Sequence, residues 1–427
     1  MPLLVAIDTS VLGTAFLYNK HQTGVHRALS ELLRRLRDRE DLRLEFVSAG
    51  RAPWLEFVNH IAFDRDWRRE GWVFRSRRTR LPGLYPLLMA LSRLGLYAKD
   101  RKWISEAVLA GLFQTMGRFL DPALAAFSAK VYYSPAHALP KLPDDVKRCI
   151  TLYDMIPVKF PQWYDESESF RKILRSIDVE KDHVAAISDC SRRDWIEHSG
   201  MRADLTQVIP CGVAEDFFPR RDQAGLQGIR EKYGMGASRF VLAVGTLEPR
   251  KNLETLVRAF MELREADARQ GRVYQDVLLL LIGPKGWKND SLFRLLKEKP
   301  QAAEAVRLAG FVPDADLPWL YSACEVFVFP SLYEGYGLPV AEALKCGAAV
   351  VCGGNSSLPE VAGEAARYVD VTQPEAIRSA LAELLFDDVI REALKAGAVL
   401  RGESFDWAGV ADAYFRLFSS LAVSAAD

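Results

Sequence analysis

Two carboxylates and two adjacent cations occupy positions where they can act on one ligand. Glu334 and Glu342 are separated by seven residues in the run E-G-Y-G-L-P-V-A-E. Arg250 and Lys251 follow an apolar strand and precede a helical pattern that begins at Leu253. Carboxylates accept hydrogen bonds from sugar and ribose hydroxyls, whereas arginine and lysine neutralise phosphates. Cations at the positive end of a helix are unfavourable without an anion, so this pair indicates a phosphate ligand.

The two carboxylates belong to a strand–loop–helix unit that the sequence then repeats. An apolar strand over residues 326–329 leads into a glycine loop and a helix with Pro339 in its first turn. A second strand over 348–352, a second glycine loop and a second proline-started helix follow. Such units place free N–H groups and positive helix ends at the carboxyl edge of a parallel sheet. We therefore expect an anion to bind there, near Gly337 and Leu338.

Length and composition limit the class of protein. The chain has 427 residues, a formal net charge of zero and six cysteines without a C-x-x-C pair. The length predicts roughly two or three domains, and the balanced charge gives no bias toward nucleic acid. Residues 3–8 have the length of a first β-strand rather than of a signal peptide, and no apolar run approaches a bilayer span. These features predict a cytoplasmic α/β protein with reduced cysteines and no nucleic-acid partner.

The spacing of Glu334 and Glu342 resembles the Glu-x7-Glu signature of the retaining GT-B glycosyltransferases of the large family-four group, which includes many mannosyl- and glucosyltransferases. The resemblance covers nearly the whole chain and is strongest over residues 241–370. It implies an α/β fold with two Rossmann-like, doubly wound domains that face a central cleft. The implied acceptor-binding domain covers 1–213 plus a returning helix at 405–427, and the implied donor-binding domain covers 214–404.

The resemblance also implies roles for individual residues. Glu334 would contact the donor sugar, and Glu342 the ribose of the nucleotide. Arg250 and Lys251 would bind the donor diphosphate. Further donor contacts, made through backbone groups or short side chains, are expected at Gly24, Gly245, Thr246, Phe311, Val312, Tyr336, Gly337 and Leu338. No D-x-D-like metal site is apparent at a strand end, and GT-B enzymes are usually metal-independent, so no metal is expected.

Two loops of the first domain supply polar groups that can reach the sugar or the acceptor. His137 follows a predicted strand at 130–134, and Asp154 follows one at 148–153. The second loop resembles the H-D-x-x-P motif of the family, with Tyr153 in place of the histidine. A lone histidine is more often a structural hydrogen-bonding group than a catalyst. His137 and Asp154 are both catalytic candidates, and the structural interpretation of His137 stays open.

A cluster of arginines precedes an apolar stretch in the first domain. Seven arginines lie between residues 65 and 80: Arg65, Arg68, Arg69, Arg75, Arg77, Arg78 and Arg80. Beside an apolar helix at 81–96, such a cluster suits peripheral docking on an anionic membrane. A solvated arginine face next to an ordinary amphipathic helix explains the same pattern. Both interpretations stay open.

Together with the resemblance, the sequence predicts a retaining hexosyltransferase that uses a nucleotide-diphosphate sugar, in its GDP or UDP form, without a cofactor. The expected acceptor is a hydroxyl of a glycan or lipid-linked intermediate in surface polysaccharide, lipopolysaccharide or glycolipid assembly. Such an enzyme would act in the cytoplasm or peripherally at the inner face of the membrane. Two alternatives are a nucleotide-sugar 2-epimerase and a non-catalytic sugar-nucleotide-binding protein.

Overall fold

The structure is a computed structural model that describes residues 2–12, 24–49, 54–68, 72–81, 83–121, 123–164, 168–270 and 276–425. These residues form two α/β units, each built on one sheet. We call them the N-terminal unit and the C-terminal unit. All paired strands within each sheet are parallel.

The sheet of the N-terminal unit has seven described strands in the order β3-β2-β1-β4-β5-β6-β7. They are β1 (Leu3–Asp8), β2 (Leu42–Val47), β3 (Val73–Arg75), β4 (Val131–Ser134), β5 (Lys147–Leu152), β6 (His183–Ala186) and β7 (Thr206–Val208). The strand order reverses between β1 and β4. At such a point the loops that leave neighbouring strands diverge and open a crevice at the carboxyl edge.

The sheet of the C-terminal unit has six described strands in the order β10-β9-β8-β11-β12-β13. They are β8 (Arg239–Val244), β9 (Val277–Ile282), β10 (Val306–Gly310), β11 (Val326–Phe329), β12 (Val350–Gly353) and β13 (Ala366–Val369). All four residues of β11 are apolar and buried, as is typical of a parallel strand that is covered on both faces. The order reverses between β8 and β11.

Helices cover both sheets. In the N-terminal unit they are α1 (Gly24–Arg37), α2 (Leu55–Ala62), α3 (Leu84–Asp100), α4 (Glu106–Gly117), α5 (Ile156–Lys159), α6 (Glu168–Ser176) and α7 (Asp189–Ser199). In the C-terminal unit they are α8 (Gln223–Lys232), α9 (Leu253–Gln270), α10 (Asp290–Glu298), α11 (Pro300–Ala303), α12 (Leu317–Ala323), α13 (Leu338–Lys345), α14 (Leu358–Ala362), α15 (Pro374–Phe386) and α16 (Asp388–Gly402). Short 3-10 turns lie at Ala203–Leu205, Pro249–Lys251 and Asp314–Asp316, and a π-helical turn lies at Phe63–Trp67.

A final helix, α17 (Trp407–Ser424), returns to the N-terminal unit. Its Tyr414 hydroxyl lies 2.7 Å from the Thr151 hydroxyl, and its ring lies 5.3 Å from the ring of Tyr133. Seven residues of α17 belong to the same buried cluster as β1 and β4. The C-terminal end of the described chain therefore completes the core that the first strand begins.

The predicted fold class, two facing doubly wound Rossmann-like units, is confirmed. The domain limits proposed from the sequence stay predictions. The predicted strand at 348–352 is shorter at its start, because residues 348 and 349 precede β12. Among the described residues, no helix is long and apolar enough to cross a lipid bilayer.

The arginine cluster at 65–80 does not form one exposed face. Arg77 is buried, donates to the Ser48 carbonyl at 3.0 Å and lies 3.4 Å from the Glu56 carboxylate. Arg75 pairs with Glu45 at 2.5 Å. The buried Arg77 is not available to a membrane surface, whereas Arg65, Arg68, Arg78 and Arg80 are exposed, so the predicted membrane contact of the cluster stays a prediction. Arg69 lies outside the described residues.

Candidate active site

The cations and the first carboxylate are brought together by the reversal of strand order in the C-terminal sheet. β8 and β11 are adjacent, so the loops that leave their carboxyl ends start side by side. The first loop carries Arg250 and Lys251 in a 3-10 turn, and the second carries Glu334. A backbone hydrogen bond of 2.9 Å from Leu332 N–H to the Arg250 carbonyl ties the two loops together. Segments 83 residues apart in sequence thus share one site.

One oxygen of Glu334 is the centre of this site. Its Oε1 lies 2.5 Å from Lys251 Nζ and 2.6 Å from an Arg250 guanidinium nitrogen, and it accepts a 2.5 Å hydrogen bond from Ser331. Arg250 and Glu334 are both more than nine-tenths buried. No described group hydrogen-bonds the second oxygen, Oε2. The carboxylate is therefore fixed through one oxygen and has the other available for a hydroxyl donor.

The charges in this cluster shift one another's pKa values. Burial raises the pKa of Glu334, but Lys251 and Arg250 outweigh it and lower that pKa to about 2. Burial lowers the pKa of Lys251, with Arg250 acting in the same direction and Glu334 opposing. Arg250 also pairs with Glu248 at 2.6 Å, so the two cations face two carboxylates. At neutral pH Glu334 is ionised and can only accept hydrogen bonds, as contact with sugar hydroxyls requires.

A loop of the N-terminal unit closes over the cluster. Tyr164 accepts a 2.7 Å hydrogen bond from Arg250 and donates to Glu248 at 3.2 Å. Asp154 lies on the same side, because a Cβ built on Gly335 would fall 2.6 Å from the Asp154 Cβ. Burial raises the pKa of Asp154. The predicted residue Asp154 is thus next to the Glu334 loop, and Tyr164 is a neighbour that no sequence motif indicated.

The start of α13 supplies N–H donors beside Glu334. Gly337 adopts φ of +101°, a left-handed conformation that favours glycine, and it caps the helix. No described group accepts a hydrogen bond from the N–H of Gly337 or Leu338. The helix dipole adds positive potential at this end. As predicted from the repeated strand–loop–helix pattern, free donors of this kind suit a phosphate oxygen.

Three further residues that were predicted to bind the sugar nucleotide lie in or next to the same loops. The aliphatic chain of Lys251 passes Gly245, where an added Cβ would lie 3.3 Å from the lysine Cε. Thr246 is half-buried beside it. The hydroxyl of Tyr336 donates to the Cys211 carbonyl at 2.8 Å, so its side chain points to the junction between the units. Its backbone stays in the loop before α13.

Two further candidates lie after β10. Phe311 is 47% exposed, whereas Val312 is buried in the core of the C-terminal unit. The segment follows Gly310, which has φ of +66°. A backbone turn with one exposed aromatic ring can contact a nucleotide base through main-chain atoms and one ring face.

Glu342 is paired with an arginine of the N-terminal unit. Its Oε1 lies 2.6 Å from Arg27, and its Oε2 accepts a 3.1 Å hydrogen bond from Tyr321. Glu342 is 2% exposed. Burial raises its pKa, with Arg27 and Tyr321 opposing that shift. The carboxylate assigned to the ribose is therefore covered by Arg27 in this structure, a contact between residues 315 positions apart that the sequence did not indicate.

The two units meet closely around Gly335. Ser188 and Ser191 at the start of α7 donate to the Gly335 carbonyl at 2.6 and 3.1 Å. A Cβ at Gly335 would lie 2.4 Å from the Tyr153 carbonyl. The N–H groups of Asp189 and Cys190 both donate to Glu360 at 2.7 Å. The structure thus has its two units in contact at the edge of the site.

Two predicted residues are not joined to Glu334 by a hydrogen bond or ion pair in the part of the chain that the structure describes. His137 lines a groove of about 1610 Å³ between the β4–β5 connection and α6. Gly24 is the first residue of α1, and residues 13–23 before it are outside the described part of the chain. Their functional roles stay predictions.

Two parallel-sheet units whose loops meet around Gly335 form a GT-B fold. A crystal structure of HepE from Anabaena in complex with UDP and glucose shares this fold, with a TM-score of 0.63 at 16% identity over 98% of this chain and 100% of that chain.

Sequence comparisons identify the family. The chain is 32% identical over 295 residues to O-antigen chain mannosyltransferase B of Escherichia coli. This aligned region covers 68% of this chain and 75% of that protein. It is 32% identical over 287 residues to the serotype-specific mannosyltransferase WbdA of Escherichia coli, covering 65% of this chain and 34% of that protein, so it spans about a third of that relative. The family model of glycosyl transferases group 1 matches residues 228–399. The chain belongs to the group 1 glycosyltransferases, as the Glu-x7-Glu resemblance predicted.

Proposed function

We propose that the protein is a retaining mannosyltransferase that moves mannose from a GDP or UDP sugar to a hydroxyl of a growing surface polysaccharide or its lipid-linked precursor. The cluster of Lys251, Arg250 and Glu334 at the β8–β11 reversal carries this proposal. It places two cations and one ionised carboxylate together in the unit matched by the family model. The sugar is inferred from relatives named as mannosyltransferases.

The cations act on the leaving group. As the bond between the anomeric carbon and the diphosphate oxygen breaks, negative charge grows on the diphosphate. Lys251 and Arg250, held in place beside Glu334, neutralise that charge, and the N–H groups of Gly337 and Leu338 add hydrogen bonds. Donors that are already positioned in a partly dry site stabilise the transition state strongly. The reaction then needs neither a metal nor a cofactor.

The carboxylates hold neutral parts of the donor. Glu334 accepts hydrogen bonds from sugar hydroxyls through Oε2, and Glu342 accepts them from the ribose. The acceptor oxygen forms the new bond to the anomeric carbon on the face that the diphosphate leaves, which retains the configuration. Its proton passes to the departing phosphate oxygen. Asp154, which lies beside Gly335 on the same side as Tyr164, orients the sugar or the acceptor hydroxyl.

A calorimetric titration with GDP, UDP, dTDP and ADP sugars, each with and without magnesium, tests the donor. We expect one tight binder, in GDP or UDP form, whose affinity is independent of magnesium. Failure of every sugar nucleotide to bind, or binding that requires magnesium, would contradict the proposal. The anomeric configuration of the product, measured by NMR, tests retention.

The epimerase alternative has its own test in the absence of acceptor. An epimerase converts its sugar nucleotide into an isomer without acceptor, whereas a transferase leaves it intact apart from slow hydrolysis. Accumulation of the isomer would assign the cluster to epimerisation. Binding without turnover toward any acceptor would favour the non-catalytic alternative.

The Arg27–Glu342 pair leads to a prediction about donor binding. Replacing Arg27 by methionine leaves the buried Glu342 without its cation, which lowers the melting temperature of the donor-free protein. A ribose that hydrogen-bonds Glu342 no longer has to displace Arg27, so the donor-induced rise in melting temperature should exceed that of the wild type. Differential scanning fluorimetry with and without donor measures both shifts.

The matched control for this prediction is Arg34→Met on the same helix. Arg34 has a side chain that is 57% exposed and, among the described residues, pairs with Glu31 on its own helix. Arg34→Met should leave the melting temperature at the wild-type value both with and without donor. A donor-induced shift in Arg27→Met equal to that of the wild type would mean that the donor does not compete with Arg27 for Glu342.

A further inference from the structure

Helices α3 and α4 present an unusual amount of apolar surface. Of the 19 large apolar side chains that are exposed among the described residues, nine lie between residues 81 and 119. They are Leu81, Leu87, Leu91, Leu94, Tyr97, Trp103, Val108, Leu112 and Phe119. Scattered exposed apolar residues need no explanation, but a contiguous group indicates an interaction surface.

Helix α3 is apolar on two opposite faces. Leu88, Met89 and Leu96 are buried in a small core with α2 and α4. Leu87, Leu91 and Leu94, at spacings of four and three residues, lie on the other side and are 56%, 41% and 64% exposed. A helix in a soluble protein normally buries one apolar stripe and turns polar residues to water. The outer stripe of α3 therefore lacks a partner among the described residues.

Neighbouring elements extend the stripe into a surface. A Cβ at Gly95 would lie 2.8 Å from Leu109 and 3.6 Å from Leu112, so α4 packs directly beside α3. The Arg80 N–H donates to the Phe119 carbonyl at 2.8 Å, which joins the segment before α3 to the segment that follows α4. Trp103, in the connection between the helices, is 78% exposed. We call these residues, 81 and 83–119, the α3–α4 surface.

The charges along this surface are mostly positive. Residues 83–119 contain five cations, Arg93, Lys99, Arg101, Lys102 and Arg118, and two acids, Asp100 and Glu106. Glu106 lies 3.7 Å from Lys99, and Arg93 pairs with Asp64 at 2.9 Å. Arg101, Lys102 and Arg118 are exposed. An apolar face bordered by cations is complementary to an apolar layer under anionic headgroups.

We propose that the α3–α4 surface docks peripherally on an anionic phospholipid bilayer. Leu87, Leu91 and Leu94 would enter the boundary of the acyl region, and Trp103 would lie at the headgroup level, where tryptophan is enriched. Arg101 and Lys102 would contact anionic headgroups. The inference goes beyond the transferase proposal, because it depends on this surface and on no property of the donor site. It is also separate from the membrane contact predicted for the arginine cluster at 65–80, in which Arg77 is buried.

The test is co-sedimentation of the full chain with vesicles of phosphatidylcholine alone and of phosphatidylcholine with phosphatidylglycerol. We expect binding to the anionic vesicles that weakens as salt is raised. Leu94→Gln and Trp103→Ala should each reduce the partition coefficient by about tenfold, since each removes one large apolar side chain from the contact. Arg101→Gln combined with Lys102→Gln should remove much of the preference for anionic vesicles.

Val389→Gln and Leu400→Gln are matched controls, because both side chains lie on α16 and are 80% and 70% exposed. They should bind vesicles like the wild type, and all variants should retain the wild-type melting temperature. Equal partition onto neutral and anionic vesicles, or wild-type binding by the surface variants, would overturn the proposal. A dimer in solution that Leu94→Gln dissociates would assign the surface to a second copy and would overturn it as well.

Discussion

Replacing Lys251 by alanine should weaken binding of the donor and of its free nucleoside diphosphate by about 2–3 kcal/mol, roughly 30- to 150-fold. Its Nζ is held 2.5 Å from Glu334 at the edge of the site, so the charge is already positioned when the diphosphate arrives. Turnover should fall as well, because the charge on the leaving diphosphate is largest in the transition state. Isothermal calorimetry and steady-state assays measure the two effects.

Lys297→Ala provides the control, because Lys297 is an exposed lysine on α10 of the same unit. It should leave affinity and turnover at their wild-type values. If a folded Lys251→Ala protein keeps both the donor affinity and the turnover of the wild type, then Lys251 does not contact the diphosphate.

Glu334→Gln should separate the two steps that Lys251→Ala affects together. The amide keeps the size of the side chain but removes the anion that Lys251 and Arg250 now face. Without donor, the variant should melt at a lower temperature, because buried cations lose their partner. Affinity for the free nucleoside diphosphate should not fall, since the released cations can bind it. Sugar transfer should fall on the order of a hundredfold, because sugar hydroxyls lose a charged acceptor.

The exposed Glu364 in the same unit gives the matched substitution, Glu364→Gln, which should behave as the wild type. Lys251→Ala should lose affinity for the free nucleoside diphosphate and Glu334→Gln should keep it, so the two variants distinguish binding of the diphosphate from binding of the sugar. A parallel loss of nucleotide affinity and turnover in Glu334→Gln would show that the carboxylate orients the cations and does not hold the sugar.

Local patterns in the sequence were sufficient for the elements that carry the site. The apolar run of β11, the glycine before α13 and the proline in its first turn are short-range signals, and the structure has them within a residue or two of the predicted limits. The meeting of Arg250, Lys251 and Glu334 followed from the family resemblance. Its physical cause, the reversal of strand order between β8 and β11, is a property of sheet topology.

Contacts between distant segments were not predictable from these patterns. Arg27 pairs with Glu342 across 315 positions, and Tyr164 reaches Arg250 from a loop without a recognisable motif. The arginine cluster at 65–80 showed the same limit, because a charge pattern does not reveal that Arg77 is buried against Glu56. Likewise, the sequence of α3 does not tell which of its two apolar faces is covered.

The return of α17 to the N-terminal unit has a consequence for the order in which the protein can fold during synthesis. A domain normally folds once its own segment has left the ribosome, from the N-terminus onward. Here β1 and β4 share their buried cluster with Tyr414 and Phe418, which are made after the whole C-terminal unit. The N-terminal unit is synthesised first, but its core is complete only after α17 has been made. Until then, the apolar residues that α17 covers are exposed. The C-terminal unit can be complete while the N-terminal unit still lacks its last helix.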